Sequence, residues 1–68
     1  MIDSMAIGAK LRAYRKAKGV TLDVAAAEIG VSLSALGMYE RGERTPRDEV
    51  KIGIASYYGH TVQEIFFA

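Results

Sequence analysis

Apolar and polar residues along this chain recur with the period of an α-helix. Three apolar residues near the N-terminus, at intervals of four and three, form one stripe: Ile7, Leu11 and Tyr14. Asp3 is a typical N-cap, and Gly19 a typical C-terminal stop, for the helix that carries this stripe. Ile2 and Ile7 also have the spacing of a hydrophobic staple. The pattern therefore predicts an amphipathic first helix whose stripe faces a core.

Two short helices follow, joined by a sharp turn. The second is predicted over about residues 22–29, with Thr21 as its N-cap and Gly30 at its end. The third is predicted over about residues 33–41, with Ser32 as its N-cap. The expected inward positions of the two helices are Ala25, Ala26, Ile29, Leu36 and Tyr39. Nucleating helices this short costs more free energy than their few backbone hydrogen bonds return, so the rest of the chain must support them.

Two more helices complete the pattern. Thr45 followed by Pro46 at a first helical position predicts the start of a fourth helix, which stops at Gly59. Thr61 and Glu64 have the spacing of a capping box, which opens a short fifth helix. The residues of these two helices expected on the core side are Val50, Ile54, Tyr57 or Tyr58, Ile65 and Phe66. The sequence thus predicts an all-α fold, with five helices in a single domain over residues 1–68.

Size and composition agree with a small helical domain. The 68 residues are near the lower limit at which a hydrophobic core stabilises a chain without disulfides or metals, and there is no cysteine. Half of the residues are apolar and ten of these are alanine, which suits closely packed helices. The N-terminus lacks a signal-peptide pattern, and no apolar run is long enough to span a bilayer. We therefore expect a cytoplasmic protein without a membrane segment.

The charge distribution is more informative than the net charge of +1. Residues 1–20 carry five basic side chains against one acidic, residues 21–40 carry three acidic and no basic, and residues 41–51 carry four basic against three acidic. Basic segments therefore bracket an acidic middle. Nucleic-acid binding needs several cations on one surface, although any one of these residues is equally typical of a solvated surface.

The third helix suggests a function, because proteins that read DNA hold a short helix with its N-terminal end outward on a compact support. Ser32 caps this end, where free N–H groups can bind a phosphate. Three arginines cluster about the loop after the helix, near three acids: Arg41, Arg44 and Arg47, with Glu43, Asp48 and Glu49. These arginines either clamp a phosphate backbone or pair with the acids, and we expect at least one to contact phosphate.

Catalysis is not expected from this sequence. The only histidine, His60, follows the helix-ending Gly59, which favours a solvent-facing position. None of the serines has a histidine and a carboxylate that the predicted helices would bring to it, and there is no glycine-rich phosphate loop. We therefore predict no enzyme activity, no metal, no cofactor and no small-molecule substrate.

The chain resembles the Cro/C1-type helix-turn-helix family, the phage-repressor-like (XRE) transcriptional regulators, from Ile7 to Phe66. The matching segments are Leu11-Arg12-Ala13-Tyr14-Arg15 with Gly19-Val20-Thr21, Ile29-Gly30-Val31-Ser32, Tyr39-Glu40-Arg41-Gly42 with Pro46, and Tyr58-Gly59 with Glu64-Ile65-Phe66. Together these segments are specific for the fold, whereas each alone is a weak signal.

The resemblance implies a compact lambda-repressor-like domain whose third helix is the recognition helix. It implies base-facing positions at Leu22, Leu33, Ser34, Gly37 and Met38. It implies phosphate-facing positions at Thr21, Ser32, Arg41, Arg44 and Arg47. Leu22 stands where the family commonly has Gln, and only Ser34 among the base-facing residues has a hydrogen-bonding side chain. Leu22, Leu33 and Met38 offer apolar contact instead, for instance to a thymine methyl group.

The resemblance also implies partners and one structural ion pair. The pair joins Arg15 to Glu40, and its loss is expected to destabilise the fold. The implied partners are double-stranded DNA and a second copy of the chain in a small repressor, with Ile65, Phe66 and Phe67 as candidates for the dimer interface. An alternative keeps the fold but binds a protein, such as a toxin or another regulator, through the apolar face of Leu22, Leu33 and Met38.

Overall fold

Five helices make up the chain in a computed structural model that describes residues 3–68. They are α1 (Ser4–Lys18), α2 (Leu22–Ile29), α3 (Leu33–Glu40), α4 (Asp48–Tyr58) and α5 (Gln63–Phe67). α5 is a single turn with the wider winding of a π-helix. The predicted all-α, five-helix fold is confirmed. The predicted staple lies outside the described residues, because it requires Ile2.

Side chains close the first turns of three helices as the sequence predicts. The Ala6 N–H donates to Asp3 Oδ1 (2.8 Å) at the start of α1. Thr21 Oγ1 accepts from the Val24 N–H at α2, and Ser32 Oγ accepts from the Ala35 N–H at α3 (3.0 Å). Each hydroxyl or carboxylate satisfies one N–H that has no partner inside its helix.

A reciprocal capping box holds the start of α5. The Glu64 N–H donates to Thr61 Oγ1 (3.0 Å), and the Thr61 N–H donates to Glu64 Oε1 (2.8 Å). The hydrogen bond from the Thr61 N–H lowers the pKa of the Glu64 carboxyl, because it favours the ionised form. The predicted box is therefore present.

The predicted start of α4 is wrong by two residues. The helix begins at Asp48, with Arg47 as an N-cap that makes no side-chain cap hydrogen bond. Thr45 instead lies with its Oγ1 3.3 Å from Ser4 Oγ, at the start of α1, and Pro46 is buried. A tertiary contact to α1 thus competes with the local cap and keeps Thr45 and Pro46 in the loop.

The core lies where α1, α3, α4 and α5 meet over the alanines of α2. The buried apolar residues are Ile7, Leu11, Ala25, Ala26, Leu36, Tyr39, Ile54, Ala55, Ile65 and Phe66. Five other predicted inward residues are half-buried and pack against this cluster: Tyr14, Ile29, Val50, Tyr57 and Tyr58. The periodic pattern therefore identified the core side of each helix.

The C-terminal residues correct one prediction about the dimer interface. Ile65 is fully buried and Phe66 is 3% exposed, so neither side chain is available to a second copy of the chain. Phe67 is 58% exposed, and its ring lies under the Lys51 ammonium (5.1 Å to the ring centroid). α5 uses two of its three apolar side chains to close the core and leaves one at the surface.

Two glycines allow α1 and the end of α3 to approach closely. A Cβ atom at Gly8 would lie 2.7 Å from the Tyr39 carbonyl oxygen and closer still to that of Glu40. A Cβ at Gly42, which has a φ of +74°, would lie 2.9 Å from the Met5 Cα. In both places a side chain would meet backbone, which cannot rotate away. These contacts fix the end of α3 against α1.

Candidate nucleic-acid interface

α2 and α3 form a bent pair joined by the turn at Gly30. Gly30 has a φ of +94° and donates its N–H to the Ala26 carbonyl, which ends α2. The two helix axes are bent by 110° at this break. Among residues 3–68, no single helix is long and apolar enough to span a membrane, and α2 with α3 meets those criteria only as this bent pair.

The first turn of α3 faces solvent. Ser32, Leu33 and Ser34 are exposed, whereas Leu36 and Tyr39 on the other side of the helix are buried. The N-terminal N–H groups of a helix carry partial positive charge, and at α3 they lie at the surface rather than in the core. The start of α3 therefore offers donors to an anion outside the protein.

An open groove connects this helix start with the loop after α3. Ser32 from the helix start and Arg44, Thr45 and Arg47 from the loop line it, with Tyr39 among the remaining lining residues. Arg44 and Arg47 are exposed, and neither is in an ion pair with another residue of the described range 3–68. Asp48, a predicted alternative partner, lies 3.8 Å from Lys51 instead. Two arginines therefore border the groove with their charges available.

The structure corrects the predicted position of Gly37, which is buried rather than base-facing. A Cβ at Gly37 would lie 3.0 Å from Nη1 of Arg41 and 3.6 Å from Cδ2 of Leu22. Leu22 from α2 and Arg41, four residues after Gly37, therefore cover this glycine. The surface at that point belongs to these two side chains.

Arg41 pairs with Glu43, one of the alternatives that the sequence left open. Arg41 Nε donates to Glu43 Oε2 (2.9 Å) and Nη2 donates to Oε1 (3.3 Å). Both side chains are exposed, Arg41 over 58% and Glu43 over 54% of its surface. The hydrogen bonds from Arg41 hold the pKa of the Glu43 carboxyl below its usual value. The guanidinium is thus held by its Nε edge, while Nη1 faces Gly37.

The predicted apolar face is not continuous. Leu33 is 50% exposed, but Leu22 is half-buried because it packs against the core, and Met38 is also half-buried. Val24 is 43% exposed on α2. The Ser34 hydroxyl lies on α3, and the charged residue Arg41 lies at its C-terminal end. The surface therefore mixes apolar and polar groups.

An ion pair joins the C-terminal end of α3 to α1. Arg15 of α1 donates from Nε to Glu40 Oε2 (2.7 Å) and from Nη2 to Oε1 (3.1 Å), the pair that the resemblance implies. Nη1 donates to the Val20 carbonyl (3.1 Å) in the loop before α2. The side chains are only 15% and 7% exposed. One guanidinium therefore joins α1, the loop before α2 and the last residue of α3.

Tyr58 lies beside this pair in an aromatic cluster. Its ring packs 6.0 Å from Tyr14 and 5.0 Å from Tyr57, measured between centroids. His60, predicted to face solvent, is only partly exposed (34% of its side chain), because it stacks on Tyr14 at 4.1 Å. The Tyr58 hydroxyl is buried and has no hydrogen-bond partner among the described residues. Burial, and then the charge of Glu40, raise the pKa of Tyr58 to about 12.

Replacing Tyr58 by Phe should therefore not destabilise the fold at neutral pH, since it removes an unpartnered buried hydroxyl. The raised pKa means that the folded state holds the phenol proton more tightly than the unfolded state does. This contribution is complete below the usual tyrosine pKa of 10 and is lost as pH rises toward 12. Denaturation curves of both proteins at pH 7 and pH 11 should show the wild type losing more stability than Tyr58→Phe. Equal losses of stability in the two proteins would contradict the raised pKa of Tyr58.

The sequence predicts the exposed start of α3 and the arginines near it, but not the arrangement around Gly37. The available signal was a glycine four residues before the arginine that caps a short helix, because residues at that spacing share one helix face. The spacing of Arg41 and Glu43 left open whether they would pair, since both lie in the loop region after α3.

The comparisons with known proteins agree with this geometry. A family model described as a helix-turn-helix domain matches residues 6–65. The HTH-type transcriptional regulator YazB of Bacillus subtilis, itself uncharacterized, is 49% identical over 39 residues, which are 57% of this chain and 56% of that protein. This chain therefore matches only about half the length of that curated relative.

Two solved structures share the fold over nearly the whole chain. The restriction-modification controller protein C.AhdI of Aeromonas hydrophila superposes with a TM-score of 0.84 at 29% identity, over 91% of this chain and 94% of that one. The clp gene regulator ClgR of C. glutamicum superposes with a TM-score of 0.85 at 32% identity, over 96% and 83%. These proteins are regulators rather than enzymes. The chain belongs to the helix-turn-helix family of DNA-binding transcriptional regulators.

Proposed function

We propose that this protein is a sequence-specific repressor that places α3 in the major groove of double-stranded DNA. The observation that carries the proposal is the groove that Ser32, at the exposed start of α3, lines together with Arg44 and Arg47. Helix N–H groups and guanidinium groups both bind phosphate, and such contacts set the register of a helix on the duplex. Phosphates on one strand would then lie along this groove.

Base contacts in this proposal come from the outer face of α3. Leu33 is exposed and can meet a thymine methyl group, while the Ser34 hydroxyl can donate to or accept from a base edge. Leu22 and Met38 are half-buried, so they border the contact rather than project into it. Thr21, exposed at the start of α2, is proposed to contact the adjacent phosphate.

We also propose that the protein acts as a homodimer. One eight-residue helix reads few base pairs, and two copies related by a two-fold axis double the contact. Ile52 and Phe67, 63% and 58% exposed, border a shallow apolar depression with Val62. This surface is the candidate interface that remains once Ile65 and Phe66 are assigned to the core. A dimer bound across a promoter would repress by excluding other proteins.

Selection from a random duplex library tests function and oligomeric state together. The full chain is incubated with the library at low and at moderate salt, and the retained duplexes are sequenced. We expect an enriched palindromic motif whose half-sites lie about 10 base pairs apart, one helical turn. Retention without any enriched motif would contradict sequence-specific binding, and a single half-site would contradict the dimer.

The arginines of the groove should contribute to the salt dependence of binding. Arg44→Ala or Arg47→Ala should reduce the slope of log K against log salt by about 0.9 for each lost phosphate contact. Arg12→Ala is the matched control, because Arg12 is an exposed cation on α1 outside the groove. Fluorescence anisotropy across a salt series measures all three slopes. Slopes that fall equally in the control would remove the proposed phosphate contacts.

A further inference from the structure

The guanidinium of Arg41 covers Gly37 on α3. Gly37 is a position at which the sequence predicts a base contact. Arg41 Nη1 lies 3.0 Å from the position of a Cβ at Gly37, and its Cζ lies 3.8 Å away. The side chain thus runs back along α3 from its C-terminal end, on the face that Leu22 also borders. A strong hydrogen-bond donor is therefore present on a face whose other large side chains are apolar.

Within residues 3–68, no backbone contact requires a glycine at position 37. At Gly8 a side chain would meet the backbone of α3, whereas at Gly37 a Cβ would meet only the ends of the Arg41 and Leu22 side chains. Gly37 also lies in the interior of α3 without a positive φ, where alanine favours the helix more than glycine does. What the missing Cβ does provide is room for the Arg41 guanidinium.

Glu43 fixes which donors of that guanidinium remain available. It accepts from Nε and from one N–H of Nη2, along one edge of the planar group. A guanidinium has five N–H donors, so three are left at the Nη1 and Nη2 end. A planar pair of donors is the arrangement that binds the O6 and N7 atoms of guanine in the major groove.

We infer that Arg41, held by Glu43 and accommodated by Gly37, reads a guanine and is a specificity-determining residue rather than one of the phosphate contacts. The inference rests on the proposed function, since it requires α3 to lie in the major groove. Glu43 then acts as a positioning residue: an exposed ion pair contributes little to stability, so its effect is on orientation. Gly37 contributes by leaving room for the Arg41 guanidinium, which a Cβ atom would displace.

The test compares the base preferences that wild type and variants select from the same random duplex library. Wild type should prefer guanine at one position of each half-site, and Arg41→Ala should reduce that preference about 10-fold or more. Gly37→Ala should weaken the preference at the same position without lowering the thermal midpoint, because its Cβ displaces only the end of a flexible side chain. Glu43→Gln should weaken it there too.

Arg44→Ala is the matched control, since loss of a phosphate contact lowers affinity equally for all sequences and leaves the motif unchanged. If Arg41→Ala behaves like this control, with uniform loss and an unchanged motif, Arg41 is a phosphate contact and the inference is overturned while the proposed function stands. A wild-type protein that enriches no motif overturns both. A motif that changes in Arg41→Ala at a position unaffected by Gly37→Ala overturns the role of Gly37.

Discussion

The Gly8→Ala variant should lose about 3 kcal/mol of unfolding free energy, the upper part of the range for overpacking a tightly packed site. The added methyl group would overlap the carbonyl oxygens of Tyr39 and Glu40, where α1 crosses the end of α3. Backbone atoms cannot rotate out of the way, so the two helices must separate and the core contacts of Leu11 and Leu36 must loosen. Urea denaturation followed by circular dichroism measures the loss.

Gly53→Ala is the matched control for this prediction. Gly53 also lies inside a helix, but a Cβ there would come no closer than 4.0 Å to Ile29, an ordinary contact. Its replacement should raise stability by about 0.5 to 1 kcal/mol through the better helix propensity of alanine. If Gly8→Ala were as stable as Gly53→Ala, the close approach of α1 and α3 would be wrong.

The Glu40→Ala variant should lose about 3 kcal/mol, the lower end of the range for removing one partner of a buried ion pair. The lower end applies because 15% of the Arg15 side-chain surface is exposed, so its guanidinium stays partly hydrated. Among the described residues 3–68, the variant leaves the guanidinium its hydrogen bond to the Val20 carbonyl alone. It also releases the last residue of α3 from α1, so the loss of stability should come with weaker DNA binding.

Glu43→Ala separates burial from charge in that experiment. It removes a carboxylate that accepts two hydrogen bonds from an arginine, as Glu40 does, but from an exposed pair. Exposed pairs contribute little to stability, so its denaturation midpoint should match that of wild type. A Glu40→Ala midpoint equal to that of Glu43→Ala would show that the Arg15 pair has no structural role.

Local signals were sufficient to predict most of the fold. Asp3, Thr21, Ser32 and the Thr61 box each act within four residues, so their capping roles could be read from the sequence. Thr45 shows the limit of this approach, because its hydroxyl finds Ser4, 41 residues away, instead of capping α4. No local pattern reports such a contact.

The site was predicted less completely than the fold. The exposed start of α3 and the arginines around it follow from the pattern of caps and charges, but the choice of partner for each arginine depends on distances between elements. Gly8 has the same sequence signal as Gly53, a glycine within a helix, and only the position of α3 distinguishes them. Phe66 and Phe67 are identical neighbours, and the core accepts only one of them.

A titration of the full chain with duplex DNA at low salt, followed through its backbone amide resonances, tests the central claim most directly. The account predicts the largest shifts at Thr21, Ser32, Ser34, Arg44 and Arg47, which surround the exposed start of α3. The surface around Ala17 and His60 should remain unchanged. Shifts that cluster at this second surface and spare the start of α3 would contradict the account.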